Sequence, residues 1–383
     1  MKKYKFVLTY GFALFGMFFG SGNLVFPLKI GQNTGECWVL GVLGLAITGV
    51  ILPFLGIFVI KLYKGDYSSF FGGAGSLVES FLPLFALSLM ASFGIMPRCI
   101  TVAYGGINPL MPEFPLSMFS FTFCVITFLV CLKEQRIIDV VGKWMSPILL
   151  GALIALILFS TLYFNAPKET DTMPSVKAFY NGFIAGYQTM DLFAAFFFST
   201  MIFSQIRKTL PPNTSDKDTI KISIKASIVA SILLMLVYTG FVFLGANFAN
   251  LITNVEPVFL LGTIVSHVMG EFGALFVGII VILSCFTTAV ALNNIYARYL
   301  CSLFNIEDRF KWVLLGTTGI SFIISLFNFN GIANFLAPVL EVSYPSVIAL
   351  TIISLFSKEC HKLKTLLFYG ILATVLLSKI MVT

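Results

Sequence analysis

The chain has 383 residues, of which 58% are hydrophobic and 11% charged, with a formal net charge of +7. Soluble domains carry about 25% charged residues, so the composition excludes a soluble globular protein and predicts an all-α polytopic membrane protein. No P-loop occurs, and the two histidines and seven scattered cysteines form neither a metal motif nor a disulfide framework.

The first apolar run, over 6–28, follows the basic start Met1–Lys5. It imitates a signal peptide, but no small-residue cleavage site closes it, so an uncleaved span is expected. Inside it lies Gly16-Met-Phe-Phe-Gly-Ser-Gly-Asn-Leu-Val-Phe-Pro27. In hydrocarbon such breakers survive only where the freed backbone groups line a cavity, and secondary transporters bind substrate and ion at breaks of this kind. Gly16 and Gly20 also fit a small-xxx-small packing face. Asn23 and Pro27 favour the break.

Further spans are predicted at 37–60, 78–103, 115–132, 144–164, 178–205, 222–247, 270–297, 312–328, 332–356 and 364–382, about eleven in all. With a cytoplasmic N-terminus, the outer side holds only Lys29, Arg98, Lys168, Lys177 and Lys379 of the 24 basic residues. The rest gather inside, as the positive-inside rule requires. This placement also removes any nucleic-acid reading of the net charge. The longest polar connections, Pro167–Lys177 outside and Arg207–Lys221 inside with Pro211-Pro212-Asn213, read as loops. Residues 1–383 therefore form a single membrane domain.

The sixth span carries Gly186, Tyr187, Gln188, Thr189 and Asp191 in an otherwise apolar segment. A carboxylate at that depth costs several kcal/mol unless it meets a partner or water. Asp191 is read either as a direct ligand or as the cap of a second half-helix. Irregular spans one and six, five apart and opposite in direction, predict a 5+5 inverted repeat. Repeat one is expected over about 6–164, repeat two over about 178–356, and an extra helix over about 364–382. The repeat rests on this spacing and not on sequence self-similarity.

Phe19-Gly-Ser-Gly-Asn-Leu-Val-Phe-Pro27 with Gly31-Gln32 resembles the first-helix signature of the bacterial branched-chain amino acid:cation symporters. Gly186-Tyr-Gln-Thr-Met-Asp191, Met96-Pro-Arg-x-x-Thr-Val102, Cys285-Phe-Thr-Thr-Ala289 and Tyr344-Pro345 are similar to that family in order and spacing. The resemblance runs from about residue 7 to 355. It implies the inverted-repeat fold of the sodium-coupled leucine transporters and import of leucine, isoleucine or valine by cation symport. It also implies a multi-pass protein of the bacterial cytoplasmic (inner) membrane. The chain departs from the family in ending after about eleven spans instead of twelve, in Lys29 and in Glu341.

An amino acid presents a carboxylate, an ammonium and a side chain. The N–H groups of Ser21, Gly22 and Asn23, heading the second half of span one, suit the carboxylate. Carbonyls around Phe19–Gly20 and Gly186–Gln188 suit the ammonium. Phe93, Ile95, Phe183 and Tyr187 are candidates for the apolar pocket, although aromatics at 15% of the chain are more often plain core. For the coupling ion, the resemblance implies a Na⁺ site made by Gly16, Phe19, Ser284, Thr287 and Thr288. Without it, the threonines read as back-bonded to their own helix. H⁺ coupling with Asp191 as the proton carrier, and proton-coupled uptake of another neutral amino acid, stay open. Arg98 either pairs with Glu36 or Glu271 or snorkels to the headgroups. No cofactor and no obligate protein partner are expected. A membrane enzyme using Asp191 with Glu341 or His267, and a passive channel, are the competing classes.

Overall fold

The computed structural model describes residues 2–108, 110–132, 144–162, 173–211, 215–357 and 360–382. The side chains of residues 2–5, 216, 271, 274 and 382 fall outside that description, and so do residues 167–172 of the expected Pro167–Lys177 loop and the Pro212-Asn213 part of the other polar connection. The basic residues Lys133, Arg136, Lys143, Lys168 and Lys358 lie outside it too.

Every predicted interval is mainly helical in its described residues, with breaks inside some of them, and no strand occurs among the described residues. The first span is α1 (Lys2–Phe18) and α2 (Ser21–Thr34), parted at Phe19–Gly20. Gly20 takes an extended conformation, and a methyl there would meet the Thr288 hydroxyl at 2.9 Å. The breakers thus interrupt the helix where the sequence places them, and Pro27 inside α2 frees one more carbonyl beyond the gap.

After α2 the chain turns at Gly35, whose φ is +50°. It returns through α3 (Trp38–Leu45), a π-helical turn at Ala46–Ile51 and α4 (Leu52–Leu62). Pro53 follows the π turn and removes an amide from the ladder there. A short α5 (Tyr67–Gly72) is capped by Asp66, which accepts from the Ser68 and Ser69 amides.

The third span differs from expectation. In place of one helix over 78–103, it is α6 (Ser76–Met90) and α7 (Ile95–Ile107), separated by a turn at residues 91–94. Ser92 donates to the Thr317 carbonyl at 3.0 Å, and Gly94 lies so close to the Leu89 carbonyl that a methyl would sit 2.2 Å from it. Pro97 then falls in the first turn of α7, where a missing N–H costs nothing.

The chain continues through α8 (Leu116–Cys131) and α9 (Ser146–Leu162). The sixth span is α10 (Ser175–Gln188) and α11 (Asp191–Thr209), meeting at 44° with Met190 left-handed at φ +63°. Then come α12 (Asp216–Asn247), the short α13 (Ala249–Ile252) and α14 (Leu260–Leu303), which extends well before the expected 270 and kinks at Gly270. The chain closes with α15 (Phe310–Ser325), α16 (Asn328–Phe356) and α17 (His361–Val382).

Among the described residues, six helical runs are long and apolar enough to cross a membrane, and the bent pair α10–α11 makes a seventh. One of the six, Ser21–Leu62, reverses at Gly35, because Gly41 comes back against Ile30 and Thr34. Shorter apolar helices cover Phe6–Phe18, Leu116–Cys131 and Ser146–Leu162.

The two broken spans are each clamped by a helix from the other half of the chain. The α1–α2 span packs along α12, while α10 packs on α3 and α11 on α4. At two of these crossings glycine lets backbone touch backbone. A methyl on Gly31 would lie 1.9 Å from the Val242 carbonyl oxygen, and one on Gly182 would lie 2.0 Å from that of Gly41. With little hydrophobic drive between helices in lipid, such close contact is what holds them.

Candidate functional site

The gap in span one and the gap in span six face each other in the buried centre. Asn23, on the first turn of α2, accepts the Gly20 amide with Oδ1 at 3.2 Å. Its Nδ2 donates to Asp191 Oδ2 at 2.9 Å and also touches Tyr238 Oη. Tyr238, on α12, donates to the same carboxylate oxygen at 2.9 Å. Asp191 is 3% exposed, so its carboxylate is satisfied by side chains of two other elements. It makes no cap for α11, whose preceding residue is Met190. Of the two readings left by the sequence, the capping one gives way to a tie between the two broken spans. Tyr238 was invisible in the sequence because it is one aromatic among many in an ordinary span.

Thr189 and Gly186 close the sixth-span gap locally, through a hydroxyl-to-carbonyl bond of 2.9 Å. Gly186 is pressed against Thr48 on the π turn, and Thr48 donates to the Phe183 carbonyl at 2.8 Å. The Gln188 carbonyl accepts Arg98 Nη1 at 3.0 Å. The Phe19 carbonyl accepts Ser284 Oγ at 2.6 Å. Carbonyls expected to meet an ammonium therefore already have donors, and Asp191 is the acceptor with charge at this centre.

At the α1 edge of the first gap, α14 brings its hydroxyls to the end of α1. Thr287 Oγ1 donates to the Gly16 carbonyl at 2.7 Å, with the Ser284 carbonyl 2.8 Å away. Thr288 Oγ1 stands 3.4 Å from the Gly16 oxygen. Gly16, Phe19, Ser284, Thr287 and Thr288 are thus gathered in one buried cluster of uncharged oxygens. The donor set suits a hard monovalent cation, which prefers oxygen ligands. No group of three or more His, Cys, Asp or Glu suited to another metal occurs among the described residues.

Beside the gaps lies a cavity of about 590 Å³. It is lined by Phe26, Lys29, Ile30 and Asn33 of α2, Tyr180, Asn181, Ile184, Ala185, Tyr187 and Gln188 of α10, Glu341 and Pro345 of α16, and Lys379 of α17. Tyr187 and Gln188 line its floor, and Tyr187 stacks toward Tyr344, ring centres 5.2 Å apart. Phe183 meets Tyr187 at 5.3 Å. Phe93 is not brought there: it sits in the third-span turn, 36% exposed, away from the lining residues. Ile95 is buried core. Glu341 and Lys379 form an ion pair across α16 and α17.

Arg98 neither snorkels nor pairs with Glu36. It is 1% exposed and reaches from α7 to the sixth-span gap, with the Phe26 ring centre 5.8 Å from its Cζ. The Glu271 side chain is outside the described residues. His267 packs on Phe248, and Glu341 is held by Lys379, so neither forms an acid–base pair with Asp191.

A family model described as "Branched-chain amino acid transport protein" matches residues 3–383. A branched-chain amino acid carrier of Staphylococcus haemolyticus is 30% identical over 369 residues, which cover 91% of this chain and 81% of that one. Among solved structures, the backbone is similar to MhsT in complex with L-phenylalanine, with a TM-score of 0.63, 15% identity and 97% of each chain covered. It is also similar to Mhp1, a nucleobase-cation-symport-1 family transporter, in a closed conformation with bromovinylhydantoin bound. That likeness has a TM-score of 0.65 at 17% identity, over 90% of this chain and 77% of the other.

Proposed function

The chain belongs to the branched-chain amino acid transport protein family, and on that premise we propose that it imports leucine, isoleucine and valine by Na⁺ symport through alternating access. It is a multi-pass membrane transporter and not an enzyme. The observation that supports the finer reading is the meeting of the two gaps through Asn23, Asp191 and Tyr238, directly beside the oxygen cluster on α14.

In this reading the protein is one transport domain of two inverted repeats, about 6–164 and 178–356, with an extra helix, about 364–382. It lies in the bacterial cytoplasmic membrane with its N-terminus inside. Substrate enters through the cavity beside the gaps and lodges at the gaps, near Gly20, Ser21, Gly22, Asn23, Gly186, Tyr187, Gln188 and Asp191. Sodium, carried as a second substrate, is held by the oxygens of Gly16, Phe19, Ser284, Thr287 and Thr288. Binding there ties α1 to α14 and shapes the first gap, so sodium raises substrate affinity by favouring one of two arrangements.

Purified protein in liposomes tests this. An imposed Na⁺ gradient is expected to accumulate labelled isoleucine. Thr287→Ala is expected to raise the Na⁺ concentration for half-maximal uptake about tenfold, the equivalent of one hydrogen bond of about 1.4 kcal/mol. Unchanged sodium dependence would remove the ion site. Uptake driven by a proton gradient in sodium-free medium would reassign coupling to H⁺, with Asp191 as the carrier.

A further inference from the structure

Arg98 is a buried cation whose donors are only partly used. Nη1 serves the Gln188 carbonyl, an uncharged acceptor. Nε and Nη2 are fully enclosed, and among the described residues they have no hydrogen-bond partner. These two atoms share one edge of the planar guanidinium. Their N–H bonds run side by side, spaced to meet both oxygens of a single carboxylate. A charged edge kept from water with nothing to bond is costly, so its persistence at the centre of the fold calls for an acceptor that comes and goes.

Asp191 does not fill the role. It lies within electrostatic reach of Arg98, yet no ion pair joins the two among the described residues, and Oδ2 is taken by Asn23 and Tyr238. The centre therefore holds a guanidinium and a carboxyl group that are separately anchored, one at the Gln188 carbonyl and the other at Asn23 and Tyr238. We propose that the Nε/Nη2 edge of Arg98 receives the α-carboxylate of the transported amino acid while Asp191 faces its α-ammonium. This rests on the amino-acid reading above and assigns to Arg98 the carboxylate contact expected of the amides of α2. Phe26, lying over the guanidinium, covers that contact from the cavity beside the gaps.

The test uses the purified full-length protein and two ligands, leucine and isoamylamine, which is leucine without its carboxylate. The unaltered protein is expected to bind leucine on the order of 100-fold more tightly than isoamylamine, because a charged donor pair without its acceptor rejects the truncated ligand. Arg98→Gln is expected to erase that preference by weakening leucine alone, with isoamylamine binding unchanged. Arg98→Lys, which keeps the charge and loses the fork, is read in the same way. It is expected to give an intermediate preference, and it decides the matter if the glutamine variant does not fold. A wild-type leucine preference in a folded variant would overturn the assignment of Arg98 alone. Absence of any leucine binding by the unaltered protein would overturn the functional reading itself.

Discussion

Asp191 and Asn23 belong to different broken helices and are 168 positions apart, yet one hydrogen bond of 2.9 Å joins them. Tyr238 completes the tie, and its removal isolates the best test of it. Tyr238→Phe keeps the ring and deletes the hydrogen bond to the Asp191 carboxylate together with the contact from Asn23, so a loss of about 1.5–3 kcal/mol is expected. Thermal unfolding of the detergent-purified variant checks this, and an unchanged midpoint would show that Asn23 alone suffices. At this scale the sequence was legible where a residue type is out of place in a membrane. Glycines, Asn23 and Asp191 announce themselves because helix breakers and charges are expensive there. Tyr238 does not, because an aromatic in a span costs nothing and so carries no signal. Arg98 was placed at the outer end of a continuous span, where snorkelling is natural. The turn at residues 91–94 moves it into the first turn of a new helix, facing the centre.

At the scale of elements, the broken spans were readable and the third-span turn was not. Spans one and six carry dense breaker clusters, whereas the third offers Gly94 and Pro97 within an apolar run that still passes as one helix. What opens it is tertiary: the Ser92 hydroxyl reaches the Thr317 carbonyl on α15. The glycine crossings are likewise matters of partner. Gly31→Ala would drive a methyl to 1.9 Å from the Val242 carbonyl, and Gly182→Ala to 2.0 Å from that of Gly41. Each is expected to cost about 1–3 kcal/mol by overpacking, since backbone cannot step aside as a side chain can. Gly316→Ala is the control, because nothing lies within 4 Å of the added methyl there. Melting temperatures should fall for the first two and hold or rise for the third. A uniform response would mean that the crossings are looser than drawn.

At the scale of the whole molecule, the fold follows from composition and charge placement, while orientation remains a reading of the basic residues. Two cysteines can report on it. Cys360 is exposed at the end assigned to the cytoplasm, and Cys37 is half-buried at the opposite end, whereas the other five are buried. An impermeant maleimide added to intact cells is expected to spare Cys360 and label it only after lysis. Labelling of Cys360 from outside would invert the topology. The Glu341–Lys379 pair, on helices that line the cavity beside the gaps, is more than a third exposed on both sides and contributes on the order of 0.2–1 kcal/mol at most. Its sequence signal, a carboxylate in span ten, was plain, but its partner lies in the extra helix, which no repeat logic connects to it.

The opposite charges of Arg98 and Asp191 have an electrical consequence. With Asp191 ionised, the centre sums to zero, and a zwitterion placed between the two leaves it at zero. Moving one elementary charge through an energised membrane is worth about 2.3 kcal/mol per 100 mV. A centre without net charge feels none of that force, so the voltage can neither drive nor hinder the amino acid itself. A current recorded during transport then counts coupling cations alone, and its ratio to labelled substrate gives their number per cycle.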